Sequence, residues 1–221
     1  MGWSEDEKLL VVAQDGTVQC YQGLQGDFVH FSLGHVRLAQ GESCADGAQG
    51  AEDYGVVECR FWSHGFVALL SNNSLIEVSN YDEPRPRLLA TPPNEAITSW
   101  ALIPPADSLS RSVEVLLALG KTIVVVDATD AEDRGLDKGP FLHVGVSPNG
   151  RCVALYTEDG RVWVVSSDFQ NRLSDYDSKA KTIPKDLQWC GNDAVALAWE
   201  DEVHVVGSNG SAAKYVSVAG G

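Results

Sequence analysis

Basic residues are in short supply. Sixteen Lys and Arg face 31 Asp and Glu, leaving a formal charge of −15 on 221 residues, a balance that repels a phosphate backbone and an anionic lipid surface alike. Nucleic-acid binding is therefore disfavoured. No run of 18 apolar residues occurs, and the start Met1-Gly2-Trp3-Ser4-Glu5-Asp6-Glu7 has neither the basic residues nor the apolar stretch of a secretory signal. The expectation is a soluble, intracellular chain without membrane insertion.

Metal and nucleophile chemistry is equally thin. Cys20, Cys44, Cys59, Cys152 and Cys190 form an odd, widely spaced set with no C-x-x-C pair, which argues against zinc and disulfides and for buried, reduced thiols. His30, His35, His64, His143 and His204 are scattered one to a segment without ligand spacing. His143 and His204 fall in strand patterns and read as packed or edge residues. No G-x-S-x-G, phosphate loop or dinucleotide fingerprint is present, and Gly23-Leu24-Gln25-Gly26 reads as a turn. Asn72-Asn73-Ser74 and Asn209-Gly210-Ser211 satisfy the glycosylation pattern but also read as turns. Helical periodicity is weak everywhere, strongest at residues 167–181, and no long helix is expected.

Short apolar runs separated by tight turns are abundant. In Pro140–Asp168, the runs Phe141–Val146, Cys152–Tyr156 and Val162–Val165 are divided by Ser-Pro-Asn-Gly and Glu-Asp-Gly, where glycine supplies the positive φ that a hairpin turn requires. This is an antiparallel meander, a unit too small to bury its own faces. Similar copies follow Val56, Ile97 and Asp186. Residues 3–21 carry the turn, strand, Asp-Gly turn and strand of a copy lacking its opening strand. Phe28–Leu33 and residues 211–221 are each positioned to supply an outer strand.

Aligning the second turns at Gly16, Ser74, Lys121, Gly160 and Glu202 gives steps of 58, 47, 39 and 42 residues. A repeat near 40 to 45 residues is, to order of magnitude, that of a β-propeller blade. The fold class expected is thus all-β: about five divergent WD-like blades over residues 1–221, part of a larger, seven-blade-type propeller. A β-sandwich is the competing architecture. The Gly-His pair and closing Trp-Asp of ordinary WD repeats are missing. The long first step contains residues 34–55, rich in Gly, Ala, Gln and acids, which read as a mobile acidic insertion. Residues 127–138 carry Asp127, Asp130, Glu132, Asp133 and Asp137 without the ligand alternation of a calcium loop, and read as a solvated acidic loop.

Catalysis has no foothold in this pattern. Asp15, Asp159 and Asp201 sit in hairpin turns, where turn geometry alone favours aspartate, and no sialidase-type boxes accompany them. A propeller hydrolase or carbohydrate-binding lectin would need Asp, Arg and Trp converging on one pocket. Trp3, Trp62, Trp100 and Trp189 recur near the first turn or end of a first strand, with Trp163 and Trp199 in later strands, a regularity expected of packing. No catalytic, metal or cofactor residue is assigned, and the partner-binding face stays open. A generic WD-like adaptor fits these residues as well.

Two blocks of residues carry a resemblance. Gly2-Trp3-Ser4, Glu7, Leu9-Leu10, Asp15-Gly16-Thr17-Val18, Tyr21, Gly26-Asp27-Phe28 and Phe31-Ser32-Leu33-Gly34 form the first. Pro184-Lys185, Gln188-Trp189-Cys190, Ala194-Val195, Ala198-Trp199-Glu200 and Val205-Val206-Gly207 form the second. Together they resemble the amino-terminal propeller region of the vacuolar protein sorting-associated protein sixteen family, shared core subunits of the HOPS and CORVET tethering complexes. The resemblance implies a non-catalytic scaffold for endosome and vacuole (lysosome) fusion and vesicle-mediated protein transport. It would be cytoplasmic and peripheral on late endosome and vacuole membranes, among the other class C core subunits. It also implies further propeller sequence upstream of Gly2 and a helical solenoid downstream that engages a Sec1/Munc18-type subunit. Neither stands in this sequence, so Met1 is read as the start of a piece and no partner-binding residue is carried over.

Overall fold

The computed structural model describes residues 1–23, 28–34, 37–38, 50–136 and 138–216. Its strands form five separate sheets. The first holds β1 (Gly2–Trp3), β2 (Leu9–Val12), β3 (Thr17–Tyr21) and β4 (Phe28–Ser32) in sequence order. In the second, β6 (Val56–Trp62), β7 (Gly65–Leu70), β8 (Leu75–Val78) and β9 (Arg87–Leu88) form the meander, and β5 (Arg37–Leu38) pairs parallel to β9. The third holds β10 (Ile97–Ile103), β11 (Glu114–Leu119), β12 (Thr122–Val126) and β13 (Ala131–Asp133). The fourth is β14 (Phe141–Val146), β15 (Cys152–Thr157), β16 (Arg161–Ser166) and β17 (Arg172–Asp177). The fifth is β18 (Asp186–Cys190), β19 (Ala194–Ala198), β20 (Glu202–Gly207) and β21 (Ala212–Val216).

The turns follow from short polar side chains. Asp15, Asn72 and Asn209 each accept the backbone N–H two residues on, at 2.9, 3.0 and 3.1 Å, closing the turn between second and third strands or between third and fourth. Gly16 holds φ at 84°, and a Cβ there would lie 2.5 Å from that of Ala51. Both conformation and space require glycine at this turn.

Packing divides the chain into two compact units, Met1–Asn94 with Val126–Ala131, and Glu95–Val125 with Glu132–Gly221. In the first, Leu10, Val18 and Cys20 of the first sheet share a core with Phe66, Ala68 and Ile76 of the second. In the other, Ala101, Leu116 and Ile123 meet Phe141, Leu155 and Trp163, while Ala154, Val162 and Val164 on the reverse of the fourth sheet meet Leu187, Val195 and Val206 of the fifth. First strands lie side by side: β1 with β6, β10 with β14, and β14 with β18. Each leucine hidden this way contributes roughly 1.5–3 kcal/mol. Backbone-directed bonds tie neighbouring sheets as well: Thr98 Oγ1 donates to the Phe141 carbonyl at 2.6 Å, and Ser99 Oγ accepts from Val144 N–H at 3.0 Å.

Three sequence readings change, and one strand was not anticipated. The first copy does have an opening strand, β1, only two residues long, with Gly2 opposite Leu10 and Trp3 opposite Leu9. The stretch with weak helical periodicity contains β17, whose exposed polar residues obscure a strand held by pairing with β16. The acidic loop contains β13, and Thr122 Oγ1 donates to Asp133. Asp137 lies outside the described residues. The end of the 34–55 segment is built into the first unit: the short helix α1 (Ala51–Tyr54) buries Ala51 completely, and Val56 N–H donates to the Gln14 carbonyl at 2.7 Å. Residues 35–36 and 39–49 of that segment, and residues 217–221 at the chain end, lie outside the described residues.

Candidate interaction surfaces

Asp15, Asp159 and Asp201 occupy hairpins of three different sheets. Asp15 is held below the usual carboxylate range by the backbone N–H of Thr17, and Asp159 accepts the Thr157 hydroxyl. Asp201 is exposed between β19 and β20. The depression beside Asp15 is lined by Ala13, Gln14 and Ala51–Gly55, with neither of the other two aspartates in its wall. Asp15 and Asp159 are thus each engaged at their own turn.

Three tryptophans pack as the repeat pattern predicts. Trp100, Trp163 and Trp199 are buried; Trp189 Nε1 donates to the Gly145 carbonyl at 3.0 Å, stitching the fifth sheet to the fourth. Trp3 departs from the pattern and is 63% exposed, because its two-residue strand turns it away from the shared core. The thiols also divide. Cys20 is buried, Cys59 and Cys152 are half-buried, and Cys190 is exposed, contrary to the reading of all as buried; Cys190 is the last residue of its strand and faces the open side of the sheet. Burial pushes the Cys59 thiol up to about 12, so its thiolate is scarce at neutral pH. Cys44 and His35 lie outside the described residues. Among the described residues, no group of three His, Cys, Asp or Glu side chains is placed to hold a metal ion.

Two polar constellations stand out that the residue pattern alone did not reveal. The first lines a cleft of about 370 Å³ between the first and second sheets, formed by Ser4, Asp6, Lys8, Ser63, His64 and Ser79–Asp82. Lys8 Nζ donates to Asp82 Oδ1 at 2.7 Å, which holds the ammonium above its ordinary range. His64 Nε2 stands 3.3 Å from Glu5 Oε2, and Glu5 N–H donates to the Ser63 carbonyl at 3.1 Å. Tyr81 sends its hydroxyl to the carbonyls of Gly65 and Trp62. The cleft is a clasp between two sheets, its lysine already paired with Asp82.

The second surrounds His204, fully buried on β20. Its Nδ1 lies 3.3 Å from the Tyr176 hydroxyl, its ring 4.6 Å from that of Trp199, and its Nε2 3.3 Å from Glu202 Oε1. Burial lowers its pKa, with Glu202 opposing, while Lys214 pairs with Glu202. The signal for this site was a polar residue in phase with Val206 on the interior face of a strand. His143 is packed similarly: its Nε2 is 2.9 Å from the Pro184 carbonyl and its ring edge-on to Tyr156. His204 is thus enclosed by an aromatic hydroxyl, an indole and a carboxylate, with none of its surface open to solvent.

Residues 1–219 match the family described as Vps16, N-terminal region. The chain belongs to the Vps16 N-terminal family. It is 35% identical, over 98% of its length, to a probable vacuolar protein sorting-associated protein 16 homolog of Schizosaccharomyces pombe, and 29% identical over 97% to Protein VACUOLELESS1 of Arabidopsis thaliana. The chain spans about a quarter of the length of these curated relatives, 25% and 26% respectively. Solved structures similar to it include the computationally designed Ika8 protein (TM-score 0.64, 16% identity, 98% of this chain and 61% of that one). Another is the Neurospora crassa Pan2 WD40 domain (TM-score 0.62, 16% identity, 98% and 64%). The fold of this Vps16-family chain is therefore that of a divergent β-propeller, in agreement with the repeat length read from its turns. Its described helix is too short and polar to cross a membrane.

Proposed function

We propose that the chain is a non-catalytic protein-interaction scaffold, the propeller portion of a subunit in a HOPS- or CORVET-type tethering complex that serves fusion at endosomes and the vacuole or lysosome. The family match across residues 1–219 carries this reading. The site chemistry supports it: Asp15 and Asp159 are each engaged at their own turn, His143 and His204 are packed, and Lys8 is paired with Asp82. Antiparallel sheets joined by short turns offer loops and faces to partners while performing no bond chemistry. The protein acts peripherally on late endosome and vacuole membranes, held there by other class C core subunits, including a Sec1/Munc18-type subunit engaged through sequence outside these 221 residues.

Affinity purification of the tagged native protein from cell extract, followed by mass spectrometry, tests the proposal. Core tethering subunits are expected as stoichiometric companions. A purification that recovers none of them, or a purified protein with glycoside hydrolase activity, would overturn it.

A further inference from the structure

Positive charge is scarce in this chain, yet it is concentrated once. Lys179-Ala180-Lys181-Thr182-Ile183-Pro184-Lys185, in the loop between β17 and β18, holds three basic residues and no acid, and no other stretch of seven residues holds as many. Lys179, Lys181, Ile183 and Lys185 are all exposed, Ile183 by 58%, while Ala180 is half-buried and Pro184 is buried. Cations and one large apolar side chain are thus turned outward from a seated backbone.

That backbone is fixed at nearly every residue. Ser178, itself buried, donates from both N–H and Oγ to the Gly160 carbonyl, at 3.0 and 2.7 Å. Its Oγ accepts from Ala180 N–H at 3.2 Å, and Asp177 Oδ1 accepts from Lys179 N–H at 2.9 Å, with Lys179 at a φ of 55° that few residues other than glycine adopt. The Thr182 carbonyl accepts from Trp199 Nε1 at 2.8 Å, the Pro184 carbonyl lies 2.9 Å from His143 Nε2, and Lys185 N–H donates to the Ala198 carbonyl at 2.7 Å. The fourth and fifth sheets both hold the loop, so little entropy is lost when a ligand meets it.

Nearby carboxylates do not neutralise it. Asp177 faces Arg161, Asp186 accepts from Gln188 Nε2, and Glu200 takes Lys185 at 3.5 Å. Among the described residues, Lys179 and Lys181 have no carboxylate partner. Arg85 and Arg87 make the contrast, each already paired, with Glu83 and Glu77. Two open ammonium groups beside an exposed isoleucine are complementary to carboxylates flanking an apolar side chain. A short segment suits them better than a lipid surface. A bilayer spreads its anionic charge over the rest of a chain carrying −15 as well, whereas a peptide meets the loop alone.

We propose that this loop is a docking site for an acidic segment of a partner protein, whose carboxylates pair with Lys179 and Lys181 and whose apolar residue covers Ile183. The loop keeps this capacity whatever complex the protein serves. Fluorescence anisotropy of the native full-length protein with a labelled peptide of glutamates around a central leucine tests it. The parent is expected to bind, more weakly as salt rises. Lys179→Glu combined with Lys181→Glu should lower the affinity about tenfold, Ile183→Ser should lower it less, and Arg85→Glu should leave it unchanged, all with the parent's melting temperature. No binding by the parent, equal affinity in the double variant, or the same loss in Arg85→Glu would overturn the proposal. So would phosphatidylserine vesicles that bind through the same lysines and exclude the peptide, which would assign the loop to a lipid surface.

Discussion

The fourth and fifth sheets are the same device in two settings. β15 and β16 of the fourth are buried along almost their whole length, because the third sheet covers one face and the fifth covers the other. β19 and β20 of the fifth alternate between buried and partly open positions. The sequences record the difference: Val162-Trp163-Val164-Val165 is apolar on both faces, whereas Ala194-Val195-Ala196-Leu197-Ala198 puts its bulk on one side only. A blade is made internal by the second face of its central strands, not by any change in turns or register.

The sharpest way to break this comparison is to remove bulk from each sheet in turn. Leu155→Ala in β15 empties a fully buried site and is expected to cost about 2–5 kcal/mol, whereas Val203→Ala on the open face of β20, 38% exposed, should stay within about 0.5 kcal/mol. Urea unfolding midpoints measure both. Equal losses would mean that the open face is covered in the protein as purified. A smaller effect is expected at the seam itself. Trp189→Phe keeps one aromatic ring but deletes the Nε1 bond to Gly145, at a cost of about 1 kcal/mol for the bond, visible as a lower melting temperature. No change would show that this bond adds nothing to the join between these two sheets.

The smallest effect concerns pH. His204 is held neutral by burial, with its pKa below the ordinary 6.5. The unfolded chain therefore takes up a proton first as pH falls, and stability declines from about pH 6.5 down to the depressed folded value, then levels. Glu202, Lys214 and the Tyr176 hydroxyl face this ring. Melting temperatures between neutral and mildly acidic pH should fall in the parent and fall less in His204→Gln. Parallel curves for the two would remove His204 as the cause.

Inner strands were legible because their chemistry is repeated: apolar runs such as Phe66–Leu70 and Thr122–Val126 end at turn residues whose conformational demands are specific. Outer strands were less so. Ala131-Glu132-Asp133 and Arg172-Leu173-Ser174-Asp175-Tyr176-Asp177 are largely polar and, Ser174 apart, open or partly open to solvent, and only the partner strand makes them extended. β1 was lost for the same reason, being two residues long. Ala51 illustrates a further limit: one small side chain in an otherwise polar stretch is buried because Gly16 leaves room for it, a fit between segments far apart in sequence. The clasp of Lys8 with Asp82 joins residues 74 apart, and no local pattern announces it.

Every blade pairs its strands strictly in chain order, apart from the parallel addition of β5. A nascent chain can therefore zip up one complete meander while the next is still within the ribosome, since no strand of the four-stranded core waits for a distant partner. What must wait is the docking of finished blades. Newly made sheets with uncovered oily faces are thus the species most in need of chaperone protection, and the rate at which successive blades emerge governs how long that exposure lasts.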